Sequence, residues 1–382
     1  VPAIIFRCAA SQVNVTAATG LPPTAGDTRI GVLMAIPDEA ALLALARDGD
    51  DDAFGELAAI YRAELRAHCY RFLGSVHDAE DALQEALIRA WRGLSGFQGR
   101  GSVRGWLYAI ATNTALDTAR QRSRRELPFA FGEGTDREAG RPEPSWLEPF
   151  PDQWLTADEA WSPESRYQRR ESIELAFIIA LQELPPLQRA ALLLREVAGF
   201  PTTDIAGQLG TSAASVNSAL QRARAGIREH HQAANQQQAL RQLGDRSVRK
   251  LAERYADALE RDDADALISL LNEDATWSMP PDPDWYRGHQ AIRVFLGPTS
   301  IPGRWRHRIT SANAQLAVAG YFDGQGSGRW VPWVIDVLTL EGGKIAAVTA
   351  FLAAEALDPP HSATALSGAE LFTRFGLPVD PP

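Results

Sequence analysis

The sequence predicts a multidomain protein: two all-α helical domains followed by an α+β domain. Three observations lead there. Apolar residues recur at helical spacing from about Asp38 to Arg125, and again from Arg166 to His231, with no strand-like alternation. Between these stretches the chain turns rich in Pro, Gly, acids and aromatics, and the gap is too long for a loop inside one compact domain. After about Ser247 a helix leads into short strand-like runs, ATWSMP, QLAVAGYF and WVPWVIDVLTLEGGKIAAVTAFL, over roughly 110 residues, enough for one α+β domain.

The length, 382 residues, agrees with two or three domains, and a composition of 45% hydrophobic and 23% charged residues is ordinary for a globular chain. A net charge of −10 makes the molecule as a whole repel nucleic acid, but binding follows local charge. No apolar run approaches the length of a membrane span, so no membrane partner is expected. Cys8 and Cys69 give neither a disulfide framework nor a zinc spacing. A reducing, cytoplasmic setting is expected, with no metal and no cofactor.

Residues 1–37 lack periodicity. They read either as an over-extended frame whose start is Met34 or as a disordered tail. In 38–125, DEAALLALARDGDDDAFGELAAIYRAELRAHCYRFLG gives two helices broken at DGDDD. DAEDALQEALIRAWRGL gives a third, whose inward stripe is Leu83, Ala86, Leu87, Ala90 and Trp91. Its other side carries Asp78, Asp81, Gln84, Glu85 and Ile88, a face that repels DNA and suits a basic protein partner. A Gly-rich loop, SGFQGRGS, precedes the fourth helix, for which Ser102 is a plausible cap. In that helix Val103, Trp106, Leu107, Ile110, Ala111 and Leu116 can be buried, while Asn113, Asp117, Arg120 and Arg124 share the opposite face. Arg100, Arg104, Arg120, Arg122, Arg124 and Arg125 stand against Asp117 alone. That basic stripe suits DNA backbone and exposed bases; a solvated helix end is the plainer alternative.

Residues 126–170 form the expected acidic linker. In 171–231 a helix from about Leu187 to Val197 stops near Gly199, TTDIAGQLG is a short second helix, and a third starts after Thr211 or Ser212. Short helices around a tight Gly-bearing turn fit a helix-turn-helix. Ile205, Leu209, Val216, Leu220 and Ala223 recur where the helices would pack. Ser215, Asn217, Ser218, Gln221, Arg222 and Arg224 are left outward, with groups that reach base edges and phosphates. A helical hairpin with a solvated face is the alternative. Residues 232–246 read as a Gln-rich connector, 247–357 as the α+β domain and 358–382 as a loosely held tail.

The segments DAEDALQEALIRAW, GWLYAIATNTALDTARQRSRR and LPPLQRAALLLREVAGFPTTDIAGQLGTSAASVNSALQRARAGIRE, in that order, resemble a bacterial sigma factor of the extracytoplasmic-function (ECF) group. RYADALERDDADALISLLNEDATWSMPP and WYRGHQAIRVFL resemble the opening helix and first strand of the SnoaL-like, nuclear-transport-factor-2-like fold. The whole layout is similar to the sigma-G-type subgroup, in which a SnoaL-like domain is fused behind sigma regions 2 and 4. The resemblance implies a promoter-specificity subunit rather than an enzyme, with core RNA polymerase (its β′ and β subunits) and promoter DNA as partners. It places Asp81, Gln84, Glu85 and Ile88 on the β′ clamp helices. Asn113, Asp117, Arg120 and Arg124 would meet the minus-ten element, with Phe97 and Arg100 near a flipped-out base. Ser215, Asn217, Ser218, Gln221, Arg222 and Arg224 would read the minus-thirty-five element, and the acidic linker would run near the RNA path. Such relatives often carry Lys or Arg early in the recognition helix where this chain has Asn217 and Ala219, which implies weak promoter binding without polymerase.

SnoaL-like folds are cones with a pocket, and Trp277, Trp285, His307, Trp333 and Asp336 are the candidates to line one here. Asp336 interrupts an apolar strand, where a carboxylate can gain a raised pKa and act as a base beside His307. The alternative is that aromatics fill the cone and the acid is satisfied locally. The domain is therefore expected to regulate or brace the sigma regions, with small-ligand sensing and catalysis as rivals. For the whole chain the alternatives are a stand-alone helix-turn-helix regulator with a sensing domain, or a SnoaL-like enzyme.

Overall fold

In the computed structural model the described residues are 38–99, 101–121, 125–126, 145–155, 167, 169–230, 235–297, 303–324, 326–357 and 365–380. The expectations for residues 1–37 lie outside them, as does most of the expected linker.

The first four helices are α1 (Glu39–Arg47), α2 (Asp51–Leu73), α3 (Val76–Gly93) and α4 (Val103–Gln121). Their ends follow local chemistry. Asp50 accepts from the Ala53 N–H at 3.0 Å, which starts α2 directly after the break at DGD. Gly74, at φ 69°, turns the chain left-handed and ends α2. Ser102 Oγ accepts from the Gly105 N–H at 3.0 Å and starts α4. A short parallel pair, β1 (Arg125–Glu126) with β2 (Ser145–Trp146), flanks the undescribed stretch.

Residues 145–155 do not behave as a spacer. Leu147 and Phe150 are buried, and the Phe150 ring lies 4.7 Å from that of Tyr70. Glu148 accepts from the Val76 and His77 N–H groups at 3.0 and 3.1 Å, capping the exposed end of α3. Averaged composition hides these few apolar anchors among the prolines.

The second helical set is α5 (Leu175–Gln182), α6 (Pro186–Leu192), continued by a π turn over Leu193–Val197, α7 (Thr202–Gln208) and α8 (Ala213–His230). From Asn235 the Gln-rich connector is helical: α9 (Gln236–Leu243) buries Gln236 and Gln237. Gln236 exchanges two hydrogen bonds with Leu340, at 3.1 and 2.7 Å, so an amide side chain extends the sheet's bonding into a helix.

The last domain holds α10 (Asp245–Glu260), α11 (Ala264–Leu270), β3 (Leu271–Ser278), β4 (Trp285–Arg287), α12 (Gly288–Phe295), β5 (Arg304–Ala312), β6 (Gln315–Asp323), β7 (Val331–Glu341) and β8 (Lys344–Leu352). The sheet order is β4-β3-β8-β7-β6-β5, with β3 and β8 parallel and the other pairs antiparallel. Its inner face closes over α10 and α11 around Leu251, Tyr255, Trp277, Val318 and Leu338. Its outer face carries Ala317, Tyr321 and Ile335, which join the same buried apolar cluster as Leu83, Phe150 and Leu193 of the helical part. The described residues thus form one continuous body, and residues 365–380 of the expected loose tail are part of it. Helix α13 (Gly368–Arg374) starts with a reciprocal Ser367–Glu370 cap, and Phe372 is buried edge-on against Tyr321 at 4.9 Å.

Glu174 sits where the second helical set meets the helix that leads into the last domain. Its carboxylate accepts from the N–H groups of Gln236 and Gln237, at 3.2 and 3.0 Å. Burial outweighs those bonds and raises its pKa to about 7. The folded state therefore holds a proton that the unfolded chain releases near the ordinary Glu value. Stability is fullest below that value and falls as pH rises through about 7. The expected result is a melting temperature that declines between pH 5 and pH 8, with a flatter profile for Glu174→Gln, read by circular dichroism.

Candidate polymerase and promoter interfaces

On α3 the outward set is open. Asp81 and Gln84 are exposed, Glu85 is half-exposed, and Ile88 is an apolar side chain 44% exposed among acids. Asp81 has His77 beside it, at 3.6 Å. Asp78 departs from expectation: it is buried in the first turn, under the end that Glu148 covers. The acidic face is therefore Asp81, Gln84 and Glu85 around Ile88.

On α4 Asn113 and Arg120 are exposed and Asp117 is half-exposed, on one side of the helix. Arg104 is not part of the stripe. It turns inward, donating to both Glu64 carboxylate oxygens at 3.1 Å and to the Ala198 carbonyl at 3.0 Å. Burial costs the guanidinium its water, and the paired Glu64 acid, which local spacing cannot reveal, offsets that cost. Phe97 is also turned in: it stacks on Trp106 at 4.9 Å, with the Arg47 guanidinium over its face. Arg100, Arg122 and Arg124 lie outside the described residues.

On α8 the outward set is complete: Ser215, Asn217, Ser218, Gln221, Arg222 and Arg224 are all exposed. Ser212 Oγ accepts from the Ser215 N–H at 3.1 Å and starts the helix. Val216, Ala219, Leu220 and Ala223 form the buried stripe at helical spacing. Ala219 is thus a packing position, and the departure read there concerns Asn217 alone. Arg224 is held by Glu196, with Nε 3.2 Å from Oε1.

The two helical sets touch at the start of α4. Asn113 donates to the Gln208 carbonyl and Gln208 to the Gly105 carbonyl, each at 3.3 Å. Phe200 packs edge-on against Tyr108 at 5.2 Å under the Arg104 guanidinium. Arg189 reaches from α6 into the end of α2, donating to the Phe72 carbonyl. Sequence reasoning misses Arg189, because a buried arginine among leucines looks like any exposed helical one. Its signal is the carbonyl-rich end of α2 that it caps.

In the cone, Asp336 is buried and accepts from Tyr255 Oη at 2.9 Å; burial raises its pKa to about 6. Trp277 stacks on Tyr255 at 6.2 Å. His307 stacks on Trp305, whose ring in turn meets Trp333. The structure keeps Asp336 and His307 close enough to interact electrostatically, with Trp277 reached through Tyr255 and Trp333 through Trp305, whereas Trp285 lies on β4 at the far edge of the sheet from β5. Tyr255 is the local partner that satisfies the strand acid.

A helical bundle with an exposed acidic face, a helix-turn-helix and a SnoaL-like sheet define a sigma factor with a fused third domain. Family models match accordingly: sigma-70 region 2 over residues 57–125, sigma-70 region 4 over 175–226 and the SnoaL-like domain over 252–348. The chain belongs to the ECF RNA polymerase sigma factors, and is 38% identical over 379 residues to ECF RNA polymerase sigma factor SigG of Mycobacterium tuberculosis, covering 96% of each chain. It is also 29% identical over 301 residues to SigJ of the same organism, 75% of this chain and 88% of that one. The crystal structure of that SigJ aligns with a TM-score of 0.48 at 22% identity, covering 80% of this chain and 97% of that one. The protein is therefore a non-enzymatic transcription initiation factor that works with core RNA polymerase and promoter DNA. This sets aside the stand-alone regulator and the SnoaL-like enzyme. No helix among the described residues is long and apolar enough to cross a membrane.

Proposed function

We propose that Asp81, Gln84, Glu85 and Ile88 dock on the β′ subunit of core polymerase while α4 holds the opened minus-ten strand through Asn113, Asp117 and Arg120. The exposed acids of α3, together with the arginines that crowd the sequence at and after the end of α4 (Arg120, Arg122, Arg124 and Arg125), carry this reading. Phe97, Arg100 and Arg124 complete the strand face, and Phe97 reaches a base once its stack on Trp106 opens. Ser215, Asn217, Ser218, Gln221, Arg222 and Arg224 read the minus-thirty-five element, region 4 also rests on the β subunit, and the protein works in the cytoplasm.

The SnoaL-like domain acts as a brace on a closed form. Elements centred roughly 25 base pairs apart span about 85 Å of duplex at about 3.4 Å per base pair. A region 4 that hydrogen-bonds α4 through Gln208 cannot reach both, so it swings away when the holoenzyme forms. Transcription from a promoter library, with purified protein added to core polymerase, is expected to give transcripts from a discrete set of promoters. Transcripts independent of promoter sequence, or none, would remove the reading.

A further inference from the structure

Arg89 lies at the seam between the two charged faces. It is carried by α3, one turn after Glu85, and crosses to α4. Its Nε donates to Glu85 Oε1 at 2.8 Å, and its Nη1 reaches Thr114 Oγ1 and Asp117 Oδ2, both at 3.3 Å. Asp117 also accepts from Arg120 Nη1 at 3.5 Å. Thr114 is itself pinned, donating to the Ile110 carbonyl at 2.9 Å. One guanidinium thus joins an acid of the polymerase face to Asp117, which is the only acid in α4.

As a contribution to folding, such a pair counts for little: the Arg89 and Asp117 side chains are 43% and 48% exposed. Its position gives it another use. Asp117 stands between Asn113 and Arg120 on the strand-facing side, one helical turn from each. A bare carboxylate there repels every phosphate that Arg120 attracts. Held between two guanidiniums, its charge is offset and its direction fixed, while Glu85 takes the other side of Arg89, away from the strand. The residue that supplies the missing charge comes from the acidic helix, which is why its own neighbours in sequence conceal it.

We propose that Arg89 is a positioning residue of the promoter face, binding Asp117 and Thr114 so that α4 presents cation, not an uncompensated acid, to the strand. The proposal rests on the assignment of α4 to the minus-ten strand. The test uses full-length holoenzyme at saturating core polymerase and a fluorescent promoter fragment recovered from the library transcription. Arg89→Gln is expected to weaken fragment binding about threefold to tenfold. Arg89→Gln combined with Asp117→Asn is expected to return it to within about twofold of wild type, because the unmasked charge is gone. A structural role predicts no such rescue. The proposal is overturned if the double variant is as weak as Arg89→Gln, or if the loss tracks a fall in melting temperature or in core binding. It also falls if Arg89→Gln binds normally while Arg120→Ala is impaired. Should Arg120→Ala bind normally as well, the assignment of α4 is the part that fails, and the proposal goes with it.

Discussion

Asp81→Arg combined with Glu85→Arg is expected to abolish association with core polymerase while the bundle stays folded. Both side chains are about half exposed and lie one turn apart on α3. Neither contributes to the buried stripe of Leu83, Ala86 and Ala90, so the cost to folding is that of two surface pairs, about 0.5 kcal/mol each. Binding is another matter. Reversal turns an attraction into a repulsion at the centre of the patch around Ile88, and about 4 kcal/mol, roughly a thousandfold in affinity, is a reasonable scale. Fluorescence anisotropy of labelled protein titrated with core polymerase reads the loss, and a thermal melt shifted by less than about 3 °C shows that the fold survived. Undiminished association would remove α3 as the docking face. Arg89 sharpens the design: after Glu85→Arg it faces a like charge and turns wholly to Asp117, so the strand face of α4 is left intact.

How far the sequence reveals this molecule depends on how far each residue's partners lie along the chain. The caps at Ser102 and Ser212 are legible, because a cap and its recipient are three residues apart. The stripes on α3 and α8 are legible for the same reason, as periodicity within one helix, and Ala219 is missed only because a small residue carries a weak apolar signal. Arg104 is misread as part of the basic stripe, and the inward packing of Phe97 is not foreseen. Their partners, Glu64 for the one and Trp106 with Arg47 for the other, belong to different helices or to the far side of a loop. The same holds for Glu148 in the supposed linker and Phe372 in the supposed tail. Each is an isolated anchor in a polar or Pro-rich stretch, and only the assembled body shows what it anchors to. Domain limits suffer most. A boundary near His231 looks clean in composition, yet Tyr321 and Ile335 of the sheet complete the core of the helices. A chain ending there would expose that apolar surface, so point substitutions are the better way to separate the parts.

Asn313→Ala is the substitution expected to do this. Asn313 and Ala314 form the tight turn between β5 and β6, both at positive φ, 54° and 55°. Asparagine tolerates that region and alanine does not, so the turn already carries one strained residue. Asn313 also threads the junction of all three parts. Its Oδ1 accepts from the Phe150 N–H at 2.8 Å, and its Nδ2 donates to Tyr70 Oη at 2.8 Å and to the Ile173 carbonyl at 2.9 Å. Those partners belong to the linker, to α2 and to the start of region 4. Truncation to alanine leaves the buried Phe150 N–H and Ile173 carbonyl without these bonds and adds a second strained position, for a loss of about 4 kcal/mol. The inner core of the cone, built around Leu251, Trp277 and Leu338, is untouched. The expected result is therefore undocking rather than global unfolding: a larger radius of gyration by small-angle X-ray scattering, with β-sheet signal retained by circular dichroism. If the SnoaL-like domain braces the closed form, this release frees region 4 from Gly105 and Asn113, and promoter-dependent transcription at limiting protein rises. A variant that undocks yet transcribes less would show that the brace supports the open form instead, and one that stays compact would remove the hairpin as the tie between the cone and the sigma regions.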